Sequence, residues 1–170
     1  TDGQPSGHRL VTPAHQASPM QVPVAGPFLA FVLFLVVLTS PGPLASQERL
    51  GSDFLGLLNA ERTAQGLHPL RIHPLAQRRA ESWTRRQIQA GQVSHQPLND
   101  LLLPPVRRVG ENVGVHTEGL SHLFRGFMES PVHRANLLSS DFTHVGVAVL
   151  PGRYQGLDAL WSTQVFLQIR

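Results

Sequence analysis

The clearest periodicity in the chain is Leu120, Leu123, Phe124, Phe127 and Met128, at i, i+3, i+4, i+7 and i+8. Apolar residues at this spacing share one face of a helix, so the segment reads as amphipathic helix. It ends at Ser130-Pro131, and that pair also suits the cap and first residue of a second, short helix over PVHRANLL. Val145, Val147 and Val149 then alternate as a strand does, and so do Trp161, Thr163, Val165, Leu167 and Ile169. The Gly- and Pro-bearing stretch 151–158 reads as the loop joining them, which makes the two strands antiparallel neighbours.

Upstream the pattern is again helical. Ser52 is a candidate N-cap with Asp53 in the first turn. Phe54, Leu57, Leu58 and Ala64 follow roughly helical spacing, and Gly66 supplies a stop. A further helix starts at Pro74 and runs to Ala90 before Gly91, with Ala76, Ala80 and Trp83 on its buried stripe. Residues 92–117 are less regular. Pro97, Pro104 and Pro105 exclude a continuous helix, and Val106 to Val109 reads as a short strand ending at Gly110. Helices, then a helix pair, then a hairpin make an α+β layered domain rather than a parallel doubly wound sheet.

The first third of the chain is different. Residues 1–27 are polar or small and interrupted by five prolines, which predicts a disordered N-terminal extension. Phe28 to Leu38 is a run of eleven apolar residues. A membrane-crossing helix needs about 20. The run suits the hydrophobic core of a secretion signal, and breakers follow at Thr39-Ser40-Pro41-Gly42-Pro43. Residues 28–45 therefore read as a secretion signal or short membrane anchor, with the folded domain over 46–170. Cleavage after Ala45 would leave Pro43 where a small residue is preferred. A polar face, the mark of a buried core helix, is missing from the run.

Composition narrows the functional classes. Hydrophobic residues make up 41% of the chain and charged residues 15%, enough apolar material for a packed core. There is no cysteine, which excludes a disulfide scaffold, a thiolate metal site and a cysteine nucleophile. All 14 basic residues are Arg, yet the net charge is only +3, and no dense basic stripe of the nucleic-acid-binding kind is present. The nearest approach is Arg78, Arg79, Arg85 and Arg86. Glu81 is spaced to pair with Arg78 and Arg85 on a solvated helix face; the sharper alternative is contact with an anionic wall polymer or lipid headgroups.

Several short segments then occur in one order: Leu58-Asn59-Ala60-Glu61-Arg62, Gly66-Leu67-His68-Pro69-Leu70, Ser94-His95, Gly110-Glu111-Asn112-Val113, Ser130 to Leu138, Val145-Gly146-Val147, and Trp161 to Phe166. Each is weak alone. Together, over about 54–168, they resemble the bacterial, cysteine-free branch of the CAP superfamily (cysteine-rich secretory protein, antigen 5, pathogenesis-related 1; SCP-like). The resemblance implies a three-layer α-β-α sandwich with a small, mainly antiparallel sheet. It also implies secretion, and a cleft built from two His and two acidic residues. His95, Glu111 and His133 fall on three of those positions. The fourth falls on Ser130, with Glu129 one residue away; on a helix that step turns the side chain by about 100°. Phe127 stands where the family usually has Trp, a difference expected to affect packing.

The residues also support a chemical reading of their own. With Ser130 as cap, His133 is the third residue of its helix, where the dipole disfavours imidazolium and leaves a neutral ring able to bind metal or accept a proton; a cap-region His bonded to backbone is the bland alternative. Glu111 lies among glycines that permit close approach of another segment. It suits either a cleft acid or a turn residue paired with Arg107 or Arg108. His95 sits in a Ser/Gln/Pro-bearing loop. His95, His133 and Glu111 make a feasible set for a divalent metal such as Zn, with the two His as its possible ligands. They lie 16 and 22 residues apart, so only the fold can gather them. His68, His73, His116, His122 and His144 are left as surface or core residues.

Three functions compete. The first is a secreted or surface binding module, not itself an enzyme, that takes lipid, wall polymer or protein at the cleft. The second is a His/Glu- or metal-dependent hydrolase. No G-x-S-x-G or H-E-x-x-H motif supports it, so catalysis by His95, Glu111 or His133 is the weaker reading. The third is a structural or adhesive envelope protein. Nucleic acid is not an expected partner, and membrane is one only through 28–38.

Overall fold

The computed structural model describes residues 43–169, with side chains from Glu48 onward. The proposed N-terminal extension, and the signal or anchor apart from its last residues, lie outside the described residues. Four helices and four strands follow in the order α1 (Pro43–Ala64), β1 (Arg71–Ile72), α2 (Pro74–Ala90), β2 (Val106–His116), α3 (Leu120–Glu129), α4 (Pro131–Leu137), β3 (His144–Tyr154), β4 (Leu157–Ile169). A 3-10 turn, Asn99–Leu101, lies between α2 and β2.

The strands form one sheet in the order β1-β3-β4-β2. The β3–β4 and β4–β2 pairs are antiparallel, and only the two-residue β1 runs parallel to β3. Alternation along the strands sends side chains to two opposite layers. Val145, Val147, Val149 and Phe166 pack with Phe54 and Leu58 of α1, Leu123 and Phe127 of α3, and Leu137 of α4. Ala148, Val165 and Leu167 pack with Ala76 and Ala80 of α2. This is the three-layer α-β-α arrangement implied by the resemblance. Gly146 sets its closest approach, because a Cβ there would lie 2.1 Å from the Ala76 carbonyl carbon. With helices on both faces, every residue of β4 from Trp161 to Phe166 is buried, so the polar positions of its alternating pattern face a protein layer instead of water.

Several local expectations need correction. The first helix begins at Pro43, so Ser52 is an exposed mid-helix residue and not its cap. Leu57 and Ala64 are exposed, and Phe54 and Leu58 carry the core contact. Gly66 does end the helix, with φ +73° and the Leu67 amide donating back to the Arg62 carbonyl at 2.9 Å. Trp83 is half-buried rather than core. β2 does not stop at Gly110 but continues to His116, paired with β4 along its length. The supposed loop 151–158 is mostly strand, closed by a tight turn with Gln155 at φ 50° and Gly156 at φ 85°. Pro151 is tolerated there because β1 has already ended, leaving β3 an open edge. The Arg78–Glu81–Arg85 pairing does not form. Glu81 instead accepts from Gln77 Nε2 at 2.9 Å, and Arg79 pairs with Asp100.

Candidate functional site

β2 is the outer strand beyond β4, and the site is assembled along it. Glu111 shares the phase of Val109, which packs in the α2 layer. Asn112 shares the phase of Gly110 and Gly114, which face the α3/α4 layer: a Cβ on Gly110 would meet the Phe142 ring at 2.7 Å, and one on Gly114 the Phe127 ring at 2.8 Å. The glycines around Glu111 thus serve close approach, as their pattern suggested. Glu111 itself is a strand residue and not a turn, and neither Arg107 nor Arg108 pairs with it. Arg108 binds Asp141 at 2.5 Å.

The Glu111 side chain is 4% exposed, against 65% for His95. Its carboxylate takes three contacts: His95 Nδ1 at 2.8 Å, the Gln96 backbone amide at 3.2 Å and Gln96 Nε2 at 2.7 Å. With Nδ1–H donated to the carboxylate, His95 turns its other ring nitrogen outward as an acceptor.

The His95 loop is held in place by α2. Ser94 donates its amide to Gln87 Oε1 at 3.1 Å, and its carbonyl accepts from Trp83 Nε1 at 2.7 Å. Gln87 is buried, and its amide nitrogen donates to Thr163 Oγ1 of β4 at 2.9 Å. Loop, helix and central strand are therefore one connected polar network.

On the other layer, Asn112 is fully buried and donates to the His133 carbonyl at 3.1 Å. Asn136 donates to Asn112 Oδ1 at 2.9 Å and to the Glu111 carbonyl at 3.1 Å. These bonds fasten the first turns of α4 to β2. Gln96, Asn112 and Asn136 are the site residues that the list of candidates lacked. Asn136 carried a usable signal, since it lies one turn after His133 on the same helix face.

His133 is the third residue of α4, after Ser130 and Pro131. Its ring stands edge-on to Phe127 at 5.2 Å, and its buried Nδ1 has no hydrogen-bond partner among the described residues. Its pKa is held below the ordinary 6.5 by burial first and by the charge of His95 second. Burial thus disfavours the charged ring in the same direction as the helix position invoked for the sequence. Gly114, Leu123, Gly126 and Phe127, with His133 and His116 at its polar positions, line a cleft of about 220 Å³. Neither His95 nor Glu111 lines that cleft. His95 is nonetheless near enough to His133 for its charge to act on that ring.

The two remaining candidates stand apart. Glu129 is exposed at the end of α3, and no bond links it to His95, Glu111 or His133 among the described residues. Ser130 caps α4 by position only, without a side-chain hydrogen bond. A structural or catalytic zinc site needs three or four protein ligands. No group of three His, Asp or Glu side chains placed to hold a metal occurs among the described residues. The Glu111 carboxylate is engaged by His95 and Gln96, which leaves the second nitrogen of His95 and the unpartnered Nδ1 of His133 as the candidate metal donors.

With this geometry in hand, similarity to known proteins can be placed. Residues 55–166 match the family model described as CAP, the cysteine-rich secretory protein family. The chain is 28% identical over 134 residues to YkwD, an uncharacterized protein of Bacillus subtilis; the match covers 74% of this chain and 49% of that protein. Among solved structures, an extracellular protein containing an SCP domain from Bacillus anthracis superposes with a TM-score of 0.62 at 23% identity, covering 77% of this chain and 44% of that one. An outer surface protein of Borrelia burgdorferi superposes with a TM-score of 0.61 at 13% identity, covering 72% and 95%. The chain thus spans about half the length of the two Bacillus relatives. At these identities the solved structures speak to the fold alone.

Proposed function

The chain belongs to the cysteine-rich secretory protein (CAP) family, and on that premise we propose that it is an extracellular or surface binding module that performs no catalysis. The extracellular and outer-surface descriptions of its structural neighbours support that location. The observation that carries the binding reading is the engagement of Glu111: buried, and held by His95 and twice by Gln96, it is not placed to take a proton from water. It acts instead as an anchor that fixes the His95 tautomer. The ligand this edge suits has an apolar portion for the Leu123–Phe127 groove and a hydrogen-bond donor for an imidazole. A lipid, a wall polymer or a partner protein can each supply both. The test is binding of the purified protein to wall fractions, lipid vesicles and a panel of surface proteins, with His133→Ala and Gly114→Leu in parallel. Binding that weakens about tenfold or more in both variants supports the module. Absence of binding to every fraction overturns it. Binding that survives in both, with only melting temperature lowered, assigns the site to structure.

One observation favours hydrolysis as a second reading. A carboxylate 2.8 Å from Nδ1 of an exposed His is the arrangement that orients a general base. No Ser or Thr hydroxyl is hydrogen-bonded to His95 among the described residues, so water would have to be the nucleophile. Equal turnover of ester and peptide substrates by the wild type and His95→Ala ends this reading.

A further inference from the structure

Away from the β2 edge, a second cavity of about 550 Å³ opens where the end of α1 meets β1 and the segment before β3; Arg62, Leu67, His68, Arg71, Phe142 and Thr143 are among its lining residues. No Asp or Glu lines it. Arg62 is 1% exposed. Its guanidinium donates to four carbonyls: His68 at 3.0 Å, Leu137 at 2.7 Å, Ser139 at 3.0 Å and Phe142 at 3.4 Å. These take four of its five hydrogens, and no carboxylate pairs with its charge among the described residues. Asp141, the acid nearest the cavity in sequence, is held by Arg108. Arg71 and His68 are exposed at the mouth.

Two more imidazoles stand beside it. His144 pairs in register with Arg71, and its ring lies edge-on to His73 at 5.9 Å. Burial first, then Arg71 and His73, hold its pKa below 6.5. The positive charge of this corner therefore rests on Arg62 and Arg71, neither of which forms a salt bridge among the described residues.

We propose that this cavity binds the phosphate group of an organic phosphate. Arg71 and His68 supply the direct contacts, and Arg62 adds a fixed positive charge from beneath. A phosphate monoester, with a charge of about −1.5 to −2 at neutral pH, matches two guanidinium groups better than a carboxylate does. Leu67 and Phe142 offer apolar walls to the organic part, and the volume exceeds what a bare phosphate fills. This site is separate from the His95–His133 edge and does not rest on the reading given for it.

The experiment is titration of the full chain with glycerol 3-phosphate and with acetate, followed by calorimetry and backbone amide shifts. Glycerol 3-phosphate is expected to bind at least about tenfold more tightly than acetate, a difference of about 1.4 kcal/mol. Shifts should be confined to residues 66–71 and 140–144. Arg71→Gln and His68→Gln, both at exposed positions that leave the core intact, should each weaken binding several-fold, while Arg85→Gln on α2 should not. Vesicles containing phosphatidic acid separate two sources of the same chemistry. Sedimentation that Arg71→Gln abolishes assigns a lipid headgroup, and none assigns a soluble phosphate. Equal affinity for acetate, unchanged binding in Arg71→Gln, or shifts centred elsewhere would overturn the proposal.

Discussion

His95 Nδ1 lies 2.8 Å from Glu111 Oε2, and the Gln96 amide, one residue on, reaches the same oxygen at 3.2 Å. A buried carboxylate is thereby bound to consecutive residues of one loop. Glu111→Gln keeps the shape but replaces one acceptor oxygen with a donor facing donors. It is expected to cost about 1–3 kcal/mol, read as a lower urea midpoint with an unchanged slope. A cost below the error of the measurement would mean that the loop is held without Glu111.

The loop is also held from behind, so His95 should depend on a residue that it does not touch. Gln87→Leu removes the acceptor of the Ser94 amide and the donor to Thr163. Hydrogen exchange at Ser94 is expected to accelerate by about tenfold or more, with exchange in β3 much less affected. Uniform acceleration throughout the domain would show a global loss of stability instead.

His133 and His144 have folded pKa values below the ordinary histidine value of 6.5. The sign follows from linkage. Below that value the unfolded chain takes up protons that the folded one resists, so stability falls as pH drops through it. Above it both states carry neutral rings and the contribution is flat. Unfolding midpoints should hold between pH 7 and 8 and decline toward pH 5. The double variant His133→Gln/His144→Gln should show a shallower decline. An unchanged slope in that variant would place the pH sensitivity on other groups.

Two glycine substitutions should act in opposite directions. Gly56 is exposed in the middle of α1, with nothing within 4 Å of an added Cβ. Gly56→Ala should stabilise by about 0.5–1 kcal/mol through the entropy of the unfolded chain. At Gly146 the added carbon would sit 2.1 Å from backbone of α2. Gly146→Ala should forfeit several kcal/mol and fail to yield soluble folded protein. A normal melting temperature for that variant would refute the close approach of α2 to β3.

Arg62 is the deepest test of the core. Its removal strands the carbonyls of His68, six residues on, and of Leu137, Ser139 and Phe142, which lie on a segment remote in sequence. Arg62→Met is expected to destabilise by about 3–5 kcal/mol despite the preserved volume. A loss under about 1 kcal/mol would show that water replaces the guanidinium.

Much of this molecule is local in origin, and that part is legible from sequence. α3 announces itself through Leu123 and Phe127, the helix ends at Gly66 and Gly91 through the one residue that takes positive φ freely, and α4 through Ser130-Pro131. The order of short motifs identified the family, and with it the layers. The structure alone decided what depends on distant partners. β2 runs past Gly110 because β4 supplies its hydrogen bonds, a pairing between residues some fifty apart that no local window contains. Glu111 is an anchor rather than a free acid because Gln96 reaches it, and the His133 pKa is lowered because its ring is partly buried beside Phe127. Periodicity reports which face of an element is apolar. Which polar atoms meet across layers is set by packing of the whole chain, and here that packing bonds His95 to Glu111 and seats His133 edge-on to Phe127.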